Sequence, residues 1–426
     1  MSDPILIAAV EGGGTSFVLA VAEVIPNNRD NIRILHRAEI DSSHDDPNRT
    51  LNECATFFRK HYHVNIKALG VAMFGPFGVD PNVPDTYGKI LPTTPKKSWR
   101  DVDVLSPLIE ACRGVNNNNE LLVKIDTDVN APAVAEYLSE KEKERRQYEY
   151  HCGNKDNDRH EDALTLNSMK KNISSLAYVT VGTGVGVGLV IHGKPVHGRM
   201  HPEAGHVPII PLDDDSFTGY SWGANSRNPF FGINTVESMT SSIALTERLE
   251  QITEQKTPLN RECLADIQDD DPVWDHASNA LANLCATLAL VTSVEKIVLG
   301  GGIMKRSGLI EKVRHRTSVL LNGYLGELSD QDVLEWISLS SYGNDVGLMG
   351  ALVLARQAIV EQQQHIDEEE KNGREGDKES VIADQEVMQK RSAYNAGLWH
   401  GLLLGLSATY VGIILYARSG KSSHRR

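Results

Sequence analysis

The chain has 426 residues, 40% of them apolar and 6% aromatic, with a formal net charge of −14. That length suits two domains, and the acidic balance, with no basic stripe, excludes a nucleic-acid partner. Its five cysteines (Cys54, Cys112, Cys152, Cys263, Cys285) are odd in number and scattered without a CxxC pair. This usage suits a reducing compartment and argues against a zinc ribbon. The run Met1-Ser-Asp-Pro leads straight into apolar residues, so no secretory or transit signal is expected.

In chain order, Ile5–Val10 is a predicted strand, Glu11-Gly12-Gly13-Gly14-Thr15 a turn, and Phe17–Val24 a second strand. A Rossmann fingerprint or a Walker loop needs a helix after its glycines, so this is a hairpin instead. Glycines in such a turn let backbone N–H groups reach a phosphate without side-chain obstruction. The next strand, Ile66–Phe74, runs into Phe74-Gly-Pro-Phe-Gly78, followed by proline-rich chain that includes Leu91–Trp99. Leu121–Ile125 reads as a strand and Ala131 onward as a helix, with Asn130 as its N-cap and Pro132 in its first turn. Asp128 therefore lies between a strand end and a helix start. A carboxylate there can take a proton from a substrate hydroxyl; it can equally serve as a capping residue, and the stretch alone leaves both open.

Residues from about 140 to 175 are highly charged with little periodicity, the pattern of a surface insertion. Leu176–Val181 is a strand feeding Gly182-Thr183-Gly184-Val185-Gly186-Val187-Gly188, and apolar Leu189-Val-Ile again continues as strand. Two glycine hairpins of one kind carry more weight than a single glycine-rich run. Helical spacing marks Val236–Ile252, Pro272–Thr292, about Leu309–Leu321 and Asp345–Glu361. Between the second and third of these, Lys296–Leu299 is a strand entering Gly300-Gly301-Gly302.

Beyond them, 361–392 reads as an acidic, solvated linker. Leu398–Ala417 contains no Lys, Arg, Asp or Glu, and a helix of that length would cover roughly 30 Å of hydrocarbon. With Tyr394, Trp399 and Tyr416 at its edges and a basic tail over 418–426, the pattern predicts a transmembrane anchor over 393–417 that contacts the lipid bilayer through 398–417. The expected localisation is cytosol-facing, tethered to a mitochondrial or plastid outer membrane or to the endoplasmic reticulum.

Seven motifs in order resemble the ROK sugar kinases, in particular their fructokinase branch, within the sugar kinase/actin-like ATPase superfamily. They are Glu11-Gly-Gly-Gly-Thr15, Phe74-Gly-Pro76, Thr94-Pro-Lys96 with Trp99, Thr127-Asp-Val-Asn-Ala131, Thr180-Val-Gly-Thr-Gly184, His201-Pro-Glu-Ala-Gly-His206 and Lys296-Ile-Val-Leu-Gly-Gly-Gly302. The resemblance, from about Ile5 to Ala355, implies an α/β fold of two RNase H-like lobes with a cleft between them, to which the C-terminal transmembrane helix is added. The lobes would span 1–133 and 134–360, with the helix from 345 returning to the first. It also implies an ATP- and Mg²⁺-dependent hexose kinase, most readily a fructokinase, with other ROK hexose kinases (glucose, mannose or N-acylmannosamine) as the alternative.

The resemblance assigns roles residue by residue. Asp128 would be the general base. Asn130, Glu203, His206 and Glu237 would bind sugar hydroxyls, with Gly75, Pro76, Thr94 and Lys96 also on the substrate side and Thr94-Pro-Lys96 tilting the choice toward fructose. Gly12, Gly13, Gly14, Thr15, Thr180, Gly182, Thr183 and Gly184 would hold the ATP phosphates, Gly300, Gly301 and Gly302 would face the adenosine, and Glu11 would orient Mg²⁺ or its waters. Two departures stand out. Ser221 and Thr235 fall where the family has zinc-binding cysteines, so no structural zinc is expected. Ser16 stands where the fructokinase branch commonly has Lys, which removes a positive charge near the phosphates. These losses also support a rival reading, a membrane-tethered sugar or nucleotide sensor with weak catalysis. Repression of transcription is disfavoured, since the chain opens on a strand without a helix-turn-helix. A homodimer is left open.

Overall fold

Strands β1 (Ile5–Gly12) and β2 (Ser16–Val24) pair in antiparallel fashion around the first glycine turn, from Ile5 opposite Val24 to Gly12 opposite Phe17. In the computed structural model the described residues are 5–24, 32–42, 46–61, 65–113, 121–153, 173–223, 227–253, 259–326 and 330–369. The chain divides into a large unit, Met1–Ile359, and a smaller one, Val360–Arg426. In the smaller unit the described residues, 360–369, are helical.

The large unit holds two five-stranded sheets. The first joins β1 and β2 to β3 (Ile32–Asp41), β4 (Ile66–Met73) and β5 (Leu122–Thr127) in the order β3-β2-β1-β4-β5. The second contains β6 (Leu176–Val181), β7 (Val185–Ile191), β8 (Lys194–Pro195), β9 (Lys296–Gly300) and β10 (Ile337–Leu339), in the order β10-β9-β6-β7-β8. In each, a hairpin strand is antiparallel to the first strand and the later strands run parallel to it. The parallel strands β1 and β4 are near-continuous apolar runs, as strands covered on both faces must be.

Helices α1 (Pro47–Lys60) and α2 (Leu105–Arg113) cover one face of the first sheet, burying Leu51, Phe58 and Leu108 with Leu69 and Val71. On the other face, Leu348, Ala351 and Leu352 of the helix that starts at 346 (α9) bury against Ile7, Ala9 and Ala68. Gly70 permits this approach, because a Cβ there would lie 1.9 Å from the Ala351 carbonyl oxygen. The second sheet is packed by α4 (Val236–Thr240), α5 (Ser242–Thr253), α6 (Pro272–Thr292) and α7 (Leu309–Leu321), with α8 (Asp330–Trp336) preceding β10.

Two sequence expectations change. The charged stretch after 140 begins as helix: α3 runs from Asn130 to Gly153. Its pairs Lys143–Glu140, Arg145–Glu142, Arg145–Glu149 and Arg146–Glu142 lie three or four residues apart, so opposite charges meet along the helix surface. The remainder, 154–172, lies outside the described residues. The single helix expected over 236–252 breaks at Ser241, whose extended backbone (φ −61°, ψ 156°) lets the Ser242 N–H donate to the Gly182 carbonyl at 2.7 Å. The expected transmembrane helix falls outside the described part of the chain. Residues 393–417 and the tail 418–426 lie outside the described residues, and among the described residues no helix is long and apolar enough to cross a membrane.

Candidate active site

The turn from β5 into α3 is built by its own short side chains. The Thr127 N–H donates to the Asp126 carboxylate at 2.7 Å, and the Thr127 hydroxyl accepts the Asn130 N–H at 3.0 Å. Thr127, and not Asn130, thus satisfies an otherwise unpaired donor at the helix start. Asp128 is held between them, its own N–H donating to the Met73 carbonyl at 2.9 Å. Its side chain is half-buried. Burial pushes its pKa up to about 7, the nearby Glu203 carboxylate adds to the rise, and His201 and Lys96 oppose it. A carboxylate poised there can accept a proton near neutral pH.

The substrate-side residues converge from both lobes. His201 is buried, with Nε2 3.0 Å from Glu203 Oε1, while Glu203 stays exposed. A Cβ on Gly75 would come within 2.9 Å of that same His201 nitrogen, so glycine is what lets the Phe74–Pro76 segment lie against the histidine. The buried Thr94 hydroxyl donates to the Gly75 carbonyl at 3.2 Å. Lys96 Nζ sits 4.6 Å from the centre of the Phe74 ring and 5.8 Å from that of Trp99, a cation–π placement that fixes the ammonium beside the acidic cluster.

Asn130 departs from its expected role. It is fully buried, its Oδ1 accepts the Leu189 N–H at 3.2 Å and its Nδ2 donates to the Val196 carbonyl at 3.3 Å. The side chain ties the β5–α3 turn to β7 and the segment after it, and it presents no exposed surface for a sugar hydroxyl. Glu237 likewise faces protein: it accepts the Val185 N–H at 2.9 Å and a hydrogen bond from Trp222. Burial raises its pKa, against the opposing influence of His206. The His206 ring meets Trp222 edge-on at 5.3 Å, and its buried Nδ1 has no hydrogen-bond partner among the described residues. Thr235, a hydroxyl residue where the resemblance places a zinc-binding cysteine, caps α4: its hydroxyl donates to Ser238 Oγ at 2.8 Å and accepts the Ser238 N–H at 3.3 Å. Ser221 Oγ accepts the Gly223 N–H at 3.4 Å.

The glycines expected to cradle a nucleotide separate by what surrounds them. A Cβ at Gly12 would strike Met73, one at Gly300 would strike Tyr178, and one at Gly301 (φ +91°) would strike the Val181 backbone. These three serve close packing. Gly13 closes the first turn by donating to the Ser16 carbonyl at 2.9 Å. Gly14, Gly182 and Gly302 have nothing within 4 Å of an added Cβ and line open space. Thr15 and Thr183 lie beside them in the two turns. Thr180, at the end of β6, accepts a hydrogen bond from or donates one to Tyr178.

Two arrangements had no sequence signal. Arg261 Nη1 donates to Thr183 Oγ1 at 3.4 Å, bringing a guanidinium to the second turn from a segment 78 residues away. Arg306 braces that segment by donating to the Ile267 carbonyl at 2.8 Å and the Asp269 carboxylate at 2.7 Å. His197 Nε2 lies 2.9 Å from Asp126 Oδ2, across 71 residues. Lone arginines and histidines carry no periodicity, so only the fold reveals these pairings.

Glu11 ends β1 with its pKa pushed up to about 7 by burial and then by the charges of Asp128 and Asp345, against the Leu348 N–H that it accepts. A buried acid beside two further negative charges would gain from a cation, which fits water-mediated contact of Glu11 with Mg²⁺ delivered with a nucleotide. No group of three or more metal-ligating side chains exists among the described residues.

A model of the ROK family matches residues 7–150 and 157–358. The fructokinase of Zymomonas mobilis is 31% identical over 360 residues, covering 83% of this chain and 97% of that protein. The fructokinase of Pediococcus pentosaceus is 28% identical over 354 residues, covering 83% and 99%. Among solved structures, a ROK hexokinase from Thermus thermophilus superposes with a TM-score of 0.57 at 20% identity, covering 84% of this chain and 100% of that one. A ROK family glucokinase from Streptomyces griseus in complex with glucose and AMPPNP gives 0.55 at 18% identity, covering 83% and 99%. At those identities the structural likeness concerns the fold. The expected organelle-membrane localisation is corrected here: the fructokinase relatives are bacterial and matched over nearly their full length, and no described helix could span a bilayer.

Proposed function

This chain belongs to the ROK family, and we propose that it is an ATP-dependent hexose kinase, a fructokinase in the first instance, with Asp128 as general base. The observation that carries the reading is Asp128 itself: a half-buried carboxylate at a strand-to-helix turn, ionising near pH 7 and facing His201, Glu203 and Lys96. In this reading Asp128 takes the proton of the sugar hydroxyl as that oxygen bonds to the γ-phosphorus and the bond to the ADP oxygen breaks. The products are a sugar phosphate and ADP. A positioned base of this kind contributes about 10²–10⁴-fold; the remaining acceleration rests on alignment and on charge stabilisation of the transferring group.

Glu203, His201, Lys96, Thr94 and the Gly75–Pro76 segment make up the sugar side of the site. Gly14, Gly182 and Gly302, with Thr15 and Thr183 beside the first two, make up the nucleotide side, since added side chains there would occupy space left for a ligand. Asn130 and Glu237 act on the sugar through the segments they hold. Glu11 would hold Mg²⁺ through water; the ion, when bound with ATP, would neutralise charge on the phosphates beside this carboxylate.

Fructose is favoured over glucose, mannose and N-acetylmannosamine because the most extensive relatives named above are fructokinases. A coupled ADP-release assay over these four sugars tests this. The expected outcome is turnover with a kcat/KM for fructose at least about tenfold above the others, equivalent to about 1.4 kcal/mol. Turnover on glucose or N-acetylmannosamine alone would move the chain to another ROK specificity. Sugar binding with no turnover would favour a sensor.

A further inference from the structure

We propose that His197 is a positioning residue which, through Asp126, fixes the sugar-binding segment 201–206 relative to Asp128. The proposal rests on the kinase reading and adds to it a latch that joins the two lobes at the site. Asp126 is 2% exposed and next to last in β5, with one carboxylate oxygen accepting the Thr127 N–H at 2.7 Å. The other oxygen is 2.9 Å from His197 Nε2, so both oxygens of this buried acid are engaged. His197 reaches in from the second lobe, with its side chain 34% exposed.

A second tie lies immediately beside the first. The Val196 carbonyl accepts the Asn130 amide at 3.3 Å. Residues 196 and 197 are thus bound to residues 130 and 126, which bracket Asp128 in sequence. Four residues beyond His197, His201 is buried next to Gly75 and pairs with Glu203. Glu203 is the charge that most raises the pKa of Asp128. The latch therefore sets how the base and the sugar-side carboxylate stand to each other. The hydrogen bond to Asp126 raises the His197 pKa, against the effect of burial. A purely structural histidine would affect sugar and nucleotide alike; a latch on 201–206 affects the sugar alone.

The test is steady-state kinetics and calorimetric fructose binding on the full chain with His197→Ala, His197→Gln and Asp126→Asn. Displacing reacting groups by about 1 Å can cost up to about 10²-fold. His197→Ala is expected to raise KM and Kd for fructose about tenfold and to lower kcat, with KM for ATP within about twofold of wild type. His197→Gln, which keeps an N–H donor, should recover most of the loss. Asp126→Asn preserves volume and should show the same selectivity with a smaller amplitude; it carries the test if His197→Ala does not fold. Unchanged fructose parameters in the folded variants, or parallel rises in both KM values, would overturn the proposal. If the wild type binds fructose but does not turn over, the kinase reading fails, while the calorimetric contrast still decides the latch.

Discussion

The two sheets of the large unit share one connectivity, β3-β2-β1-β4-β5 and β8-β7-β6-β9-β10, yet their glycine turns are used differently. In the first turn, Gly12 packs on Met73, Gly13 closes the turn and Gly14 lies open. In the second, Gly182 lies open, Gly184 backs onto the Glu237 carboxylate, and Gly186 and Gly188 let β7 press against Val129 and Asn130. Beside the first turn stand the acids Glu11, Asp126 and Asp128, whereas the second turn is met by the Thr183 hydroxyl, the Glu237 carboxylate and the Arg261 guanidinium. Two sheets of one strand order thus close their glycine turns with different chemistry. Glycine content alone does not identify a ligand site: the same residue serves packing at one position and ligand access a few residues away.

This comparison can be broken by moving one methyl group. Gly188→Ala would place Cβ 2.0 Å from the Val129 carbonyl oxygen, a backbone atom that cannot rotate away. It is expected to cost about 3 kcal/mol of stability, read by denaturant unfolding. Gly14→Ala meets nothing within 4 Å. It should leave stability within about 0.5 kcal/mol while raising KM for ATP about tenfold, a loss of about 1.4 kcal/mol in binding. Equal stability effects at the two positions would refute the division between packing and access. A smaller effect sharpens the same contrast. Arg261 supplies positive charge at the second turn, while the first carries Ser16 in place of a lysine, so Arg261→Ala should raise KM for ATP about threefold and weaken its salt dependence. A change in KM for fructose instead would place this arginine on the sugar side.

The hairpins were legible because glycines followed by apolar, β-rich runs such as Phe17–Val24 and Leu189–Ile191 cannot continue as helix. Helices α6 and α7 were equally plain from their apolar spacing, and α6 from Asp271 and Pro272 at its start. Asp128 could be singled out through the motifs that flank it. The charged half of α3 has no apolar stripe to mark it as helix, and its order rests on charge pairs at three- and four-residue spacing. Contacts formed across lobes had no local signature. Nothing near Asn130 in sequence announces Leu189 or Val196, and nothing near Asp126 announces His197. Glycine roles were hidden for the same reason, since only the neighbour across the gap distinguishes Gly12 from Gly14.

The central claim concerns one proton at Asp128. Its pKa lies near 7 and the base must be ionised to act, so kcat/KM for the wild type should fall as pH drops below about 7 and level off above it. Glu11 ionises in the same range, so the pH profile reports both groups. Asp128→Asn separates them: it keeps the shape of the side chain and removes the basic oxygen. The decisive measurement is phosphoryl transfer by Asp128→Asn alongside its calorimetric affinity for fructose and ATP. A fall in kcat of about 10²–10⁴-fold with both affinities within a few-fold of wild type is the predicted result. Wild-type turnover in that variant would contradict the assignment.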